Sequence, residues 1–165
     1  MAGNGKATRF LDTNGTGSWG PIINSNFGVR SAGTSVMYAH NKILVAGGGA
    51  GTKTVEIIDL GASNPKWNYT SPMSVKRRHV NSTLLPTGKV LITGGTSGLG
   101  DDETNPVYAA EIWDPNTGKW AKLASNGVYR GYHSTALLLP DGRVLSAGGE
   151  KSGTSMEIYS PPYLF

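Results

Sequence analysis

Apolar residues in this chain come in short runs, each bounded by a turn, and the runs recur. Ser82-Thr83-Leu84-Leu85 leads into Pro86-Thr87-Gly88 and then Lys89-Val90-Leu91-Ile92-Thr93, and Thr135-Ala136-Leu137-Leu138-Leu139 leads into Pro140-Asp141-Gly142 and then Arg143-Val144-Leu145-Ser146. Runs of this length between turn signals read as strands. Proline presets φ and glycine accepts φ above zero, so each pair of runs is predicted to form a hairpin. In an earlier copy Ala39-His40-Asn41 takes the turn's place, with asparagine at the glycine position, a residue that tolerates the left-handed region. Third runs follow at Thr54-Val55-Glu56-Ile57-Ile58, Ala109-Ala110-Glu111-Ile112-Trp113 and Thr154-Ser155-Met156-Glu157-Ile158-Tyr159, each with a glutamate at the matching place. Asp59 and Asp114 open the next turn, and a fourth short strand is predicted to carry Trp67 or Trp120.

The copies keep a fixed period. Gly-Gly doublets at 47–48, 94–95 and 148–149 are 47 and 54 residues apart, and Trp19, Trp67 and Trp120 keep step at 48 and 53. A period near fifty residues is that of the kelch-type propeller blade. The predicted fold is therefore all-β, a kelch-type β-propeller segment of about three four-stranded antiparallel blades, with units at about 31–73, 78–123 and 132–165. The doublets are expected to let neighbouring backbones approach where a Cβ would clash, and the tryptophans to fill the space between blades. Residues 7–29 read as the outer strand of a blade, and the N-terminal piece is expected to supply the strand that the last unit lacks. Three blades fall short of the four to eight with which propellers close. The expected partner is a second copy closing a six-bladed ring, or the missing blades of a longer chain.

Composition agrees and narrows the chemistry. Among 165 residues there are 24 Gly and 9 Pro and only 16% are charged, a turn-rich all-β balance. Net charge is +4, and the one dense basic run is Lys76-Arg77-Arg78-His79. No recognition-helix pattern accompanies it, so no nucleic-acid partner is expected. Arg77, Arg78 and Arg130 stand just ahead of inner strands, where they read either as a basic rim for polyol hydroxyls or acidic sugars, or as ordinary solubilising charge. With no Cys, disulfides, Cys-ligated zinc and thiol catalysis are excluded for this chain. No apolar stretch reaches membrane-spanning length, so no membrane partner is expected, and the first residues lack the apolar run of a signal peptide. Asp101-Asp102-Glu103 offers hard oxygens suited to calcium but lacks EF-hand spacing, and reads as a solvated acidic loop. Gly47 to Gly51 precedes a strand rather than a helix, so it is no phosphate cradle.

The last unit carries the most specific signal. Arg130-Gly131-Tyr132-His133-Ser134, then Leu137-Leu138-Leu139-Pro140-Asp141-Gly142-Arg143-Val144-Leu145 and Gly148-Gly149, resembles the copper-radical oxidases of the galactose oxidase and glyoxal oxidase family. Glu157-Ile158-Tyr159-Ser160-Pro161-Pro162-Tyr163-Leu164-Phe165 resembles that family's passage from propeller into a C-terminal immunoglobulin-like domain. The resemblance implies a secreted protein and an oxidation of alcohols or aldehydes by O₂ with release of H₂O₂. It implies that Tyr132 and His133 are copper ligands, with Tyr132 also taking a proton from the substrate alcohol. Imidazole and phenolate suit Cu(II). The family's radical cofactor, a tyrosine cross-linked to a cysteine, has no counterpart here: there is no cysteine, and Ile58 stands where a tyrosine would be wanted. The family's second histidine ligand belongs to the C-terminal domain. Counted back from the doublets, His79 falls in the register of His133, so His79, Tyr132 and His133 are expected to line one mouth of the channel, either as a metal site or as packing. Two functions stay open: a non-catalytic carbohydrate- or protein-binding scaffold, and part of a copper-dependent alcohol or aldehyde oxidase. Copper is the one cofactor the sequence suggests.

Overall fold

The computed structural model describes residues 2–100 and 104–165, so the acidic triplet Asp101-Asp102-Glu103 lies outside the described residues. An irregular hairpin comes first. Strands β1 (Ala7–Thr8) and β2 (Leu11–Asp12) run out, and β3 (Ser18–Trp19) and β4 (Ile23–Asn24) return, with β2 paired to β3 and β1 to β4. The first blade follows as β5 (Thr34–Ala39), β6 (Lys42–Ala46), β7 (Val55–Asp59) and β8 (Asn68–Thr70). The second is β9 (Asn81–Leu84), β10 (Val90–Thr93), β11 (Ala109–Asp114) and β12 (Lys119–Ser125). The third is β13 (Ser134–Leu138), β14 (Val144–Gly148) and β15 (Met156–Tyr159), after which Pro162–Leu164 makes one 3-10 turn. Within the three blades every pairing is antiparallel between chain neighbours, so each blade is an up-and-down sheet. No helix among the described residues is long and apolar enough to cross a membrane.

The blades pack face to face because their central strands are apolar on both sides. All four residues of β10 are buried, as are four of five in β6, the pattern of strands covered on both faces. Leu44, Ala46 and Val55 of the first blade meet Val90, Ile92 and Trp113 of the second. Tyr38 stands edge-on to Trp113 with ring centroids 4.9 Å apart, a preferred aromatic geometry. Leu91 and Ala110 of the second blade meet Val144, Ala136 and Tyr159 of the third. Ile43, Val45, Ile58 and Trp67 on the far side of the first blade meet Ala2 and Ile23 beside the N-terminal hairpin. The inner strands β5, β9 and β13 lie side by side, joined by Thr34 Oγ1 to Ser82 Oγ at 2.6 Å and by Asn81 Nδ2 donating to Ser134 Oγ at 2.9 Å.

The doublets join one blade to the next. Gly48 N donates to Arg77 O at 2.9 Å, and Gly95 N donates to Arg130 O at 2.7 Å. A Cβ built on Gly47 would sit 2.6 Å from the Arg77 carbonyl oxygen, and one on Gly94 would run into that of Arg130. The glycines are there because the neighbouring backbone occupies the Cβ position. The tryptophans reach back the other way: Trp67 Nε1 donates to Thr8 Oγ1 at 3.1 Å, and Trp120 Nε1 to Ser71 O at 2.8 Å. Trp19 differs, since it is 52% exposed.

An arginine–glutamate ion pair recurs in each unit, fully buried in the first two and with its glutamate partly exposed in the third. Arg30 and Glu56 meet at 3.0 Å, Arg77 and Glu111 at 2.6 Å, Arg130 and Glu157 at 3.5 Å. Each arginine also donates through Nη1 to the carbonyl of the first doublet glycine, Gly47, Gly94 or Gly148, at 3.0 Å. Each glutamate accepts a backbone N–H from the segment that enters the unit, at Asn26, Ser74 or Gly127. One charge pair thus ties together the entering segment, the inner-strand entrance, the doublet and the third strand. These contacts offset the burial of the charges through Nη1, Nη2 and the carboxylates, while Nε of Arg30, Arg77 and Arg130 has no hydrogen-bond partner.

One sequence expectation fails. The third unit supplies three strands of its own, as its sequence indicates. The N-terminal piece does not complete it; β1 to β4 pair among themselves and lie against the first blade. The reason is in the chain order: the glutamate pair and the Trp67 indole bind residues 8, 26 and 27 to the first blade directly.

Candidate functional site

The strand entrances hold an unusual backbone. Ala32, His79 and His133, one per unit, have φ of 57°, 53° and 60°. Ala32 and His133 sit at the third position of turns closed by Gly33 N donating to Arg30 O at 2.8 Å and by Ser134 N donating to Gly131 O at 3.0 Å. A φ above zero at that position is the type II feature that usually falls to glycine or asparagine, and a residue with a Cβ pays about 1–2 kcal/mol for it. His79 N donates to Ala32 O at 2.7 Å, linking the entrances of neighbouring units.

This geometry gathers three rings from two blades. Tyr132 stacks on His133 with centroids 3.8 Å apart and planes at 28°, and His79 stands edge-on to Tyr132 at 5.0 Å. The expected cluster of His79, Tyr132 and His133 is thus one place in space. Tyr132 is 37% exposed and His133 is exposed, so the cluster is open to solutes. No group of three or more His, Cys, Asp or Glu side chains suited to a metal forms among the described residues. The donor set here is two imidazoles and one phenol, which in kind fits copper.

The arginines behave differently from expectation. Arg77 and Arg130 are 0% and 1% exposed, held in the buried ion pairs, so their guanidinium groups cannot form a rim for sugar hydroxyls or carboxylates. Burial depresses the Arg77 pKa below its ordinary value, and Glu111 opposes the shift. Arg78 alone stays partly exposed, and its guanidinium donates to the Leu99 carbonyl. His40 is exposed in its turn, and Ile58 lies in the core against Trp67, away from the ring cluster. The recurring Arg–Glu pairs escaped the sequence reading. Their signal was present, because each arginine precedes the first doublet glycine by 17, 17 and 18 residues.

Comparison with known proteins places the chain in a family. Residues 30–160 match the family model described as Glyoxal oxidase N-terminus. Galactose oxidase of Gibberella zeae is 35% identical over 162 residues, covering 86% of this chain and 24% of that protein. Aldehyde oxidase GLOX1 of Arabidopsis thaliana is 28% identical over 124 residues, covering 65% of this chain and 20% of that protein. A solved fungal alcohol oxidase of the AA5 family, in complex with copper, superimposes with a TM-score of 0.87 at 30% identity over 99% of this chain and 38% of that one. The chain therefore spans about a quarter of the curated relatives' length.

Proposed function

Because the chain belongs to the glyoxal oxidase N-terminal family, we propose that it carries one corner of the copper site of an oxidase acting on an alcohol or aldehyde. Tyr132 and His133 are the ligands, and His79 lines the same site. The observation that supports this reading is the ring cluster itself, two imidazoles and a phenol brought together across two blades. Copper, when bound, would supply a redox centre for the overall conversion of RCH₂OH and O₂ to RCHO and H₂O₂. The chain's own residues do simpler work. Tyr132 presents a phenol oxygen at an exposed position, where it can take a proton from a substrate hydroxyl. Its stacking on His133 limits the orientations of both rings, and the αL backbone fixes where the His133 imidazole starts. The remaining ligands and the redox-active side chain of such a site would come from outside these 165 residues, since the chain has no Cys.

That lack of cysteine favours one second reading: a kelch-type scaffold that binds carbohydrate or protein without catalysis. Electron paramagnetic resonance of Cu(II) titrated into the folded chain separates the two. A stoichiometric nitrogen-ligated signal that is lost in His133→Ala and weakened in His79→Ala is the expected result. A signal insensitive to His133→Ala, or none, overturns the copper reading and leaves the scaffold.

A further inference from the structure

A cavity between the first and second blades opens on the same face as the ring cluster. It measures about 650 Å³ and is walled by Gly51, Thr52 and Lys53 of the first blade's loop, by Ser74 and Lys76 on the way into the second blade, and by Ser97 of the second blade's loop. It is thus a feature of the middle of the array. The segment that carries Lys76 also carries His79, three residues on, so their backbones lie within about 10 Å of each other. That segment is clamped from both sides. Arg77 N donates to Thr52 O at 3.1 Å, and Arg78 and Thr96 exchange backbone bonds at 2.9 Å. Gly51, at φ 86°, marks where the two loops approach. A Cβ there would lie 3.4 Å from the Gly98 carbonyl oxygen and 4.0 Å from Lys76 Cδ, so the lysine stem passes close over the glycine at the cavity wall.

The charge of the wall has one sign. Lys53 and Lys76 both line the cavity, and no carboxylate among the described residues does. Elsewhere Lys42 and Lys89 are held by Asp59 and Asp114; neither Lys53 nor Lys76 has an acid against it among the described residues. Two like charges over one cavity repel, and an anionic group between them relieves the repulsion. No aromatic ring lines the space and Val75 is its one wholly apolar side chain, so charge and hydroxyl groups rather than apolar burial must hold a ligand. The volume falls among small-molecule sites, about 300–1,000 Å³, and exceeds what a single inorganic anion fills. We propose that this groove binds an acidic saccharide, its anionic group between Lys53 and Lys76 and its hydroxyls against the Ser74 and Ser97 side chains. As substrate recognition for the neighbouring cluster this rests on the copper reading; as a binding site it stands apart from it.

Isothermal titration of the folded chain with oligogalacturonates, with neutral galactose oligomers of the same length and with inorganic phosphate tests this, all without copper. The acidic oligomers should bind, less tightly as salt rises, and at least about tenfold more weakly to Lys53→Gln/Lys76→Gln. Both lysines are exposed, so folding, checked by circular dichroism, should persist. Lys119→Gln/Lys122→Gln makes the same charge change at exposed positions of the outer strand β12 and should bind as the parent chain does. Neutral oligomers binding as tightly as acidic ones overturn the proposal, a comparison that needs no variant. An equal loss in both double variants overturns the site in favour of attraction to net charge. Phosphate binding as tightly as the oligomers overturns the saccharide. Oligomer binding in a chain without a His133-dependent copper signal upholds the groove and overturns only the oxidase reading, whereas a copper signal without oligomer binding overturns the groove alone.

Discussion

His133 holds a positive φ of 60° although a glycine would hold it without strain. Non-glycine residues in that region cluster at functional sites, where the surrounding structure fixes them. The strain gives a way to separate packing from function at this residue. His133→Gly relieves the backbone and removes the imidazole, so it should unfold at equal or higher urea, gaining at most about 1 kcal/mol, while the copper signal disappears. Loss of stability on that substitution would instead assign His133 a packing role. At this scale much was legible from sequence: counting back from the doublets put His79 and His133 in one register, and the Tyr-His pair stood out by its motif. The fate of Arg77 and Arg130 was not legible. A basic residue ahead of a strand looks the same whether its guanidinium meets water or a glutamate 34 or 27 residues later.

Within each unit the arginine–glutamate pair is the joint that sets strand against entering segment. Removing one partner of a buried pair leaves an uncompensated charge, whereas replacing both with apolar residues is often neutral. Glu111→Ala should therefore cost about 3–5 kcal/mol, and Arg77→Met/Glu111→Leu should recover most of it, both read from urea unfolding midpoints. The hairpins, by contrast, were predictable almost to the residue. Pro86-Thr87-Gly88 and Pro140-Asp141-Gly142 joined the strands as expected, and Asn41 took a φ of 61° in place of their glycines. What sequence could not supply was the partner of the N-terminal piece. Its strand resembles those that end a blade, but which blade it joins depends on contacts of Thr8, Asn26 and Phe27 that no local pattern encodes.

Across the whole array, blades are coupled by glycine N–H groups that donate to arginine carbonyls of the next unit, as well as by apolar faces. Two glycines with positive φ isolate the steric part. Gly94 has φ of 68° with the Arg130 backbone against its missing Cβ, while Gly88 has φ of 77° and nothing within 4 Å. Gly88→Ala should cost about 1–2 kcal/mol, the conformational term alone. Gly94→Ala should cost clearly more, because the second and third blades must also move apart, and it should disturb the spacing of His79 from Tyr132. Thermal unfolding and the copper signal report the two effects separately. The period near fifty residues announced this architecture from sequence, and the missing fourth strand of the last unit was legible there too, but a repeat pattern does not say what covers its final member.

Each arginine–glutamate joint also accepts the peptide that crosses from one unit to the next. The crossings are therefore sewn down at Asn26, Ser74 and Gly127, and the array lacks the slack that would let one blade swing against another. It behaves as a single stiff wedge rather than as beads on a string. A site assembled from two blades, as the one at His79 and Tyr132 is, then keeps its dimensions without needing a lid.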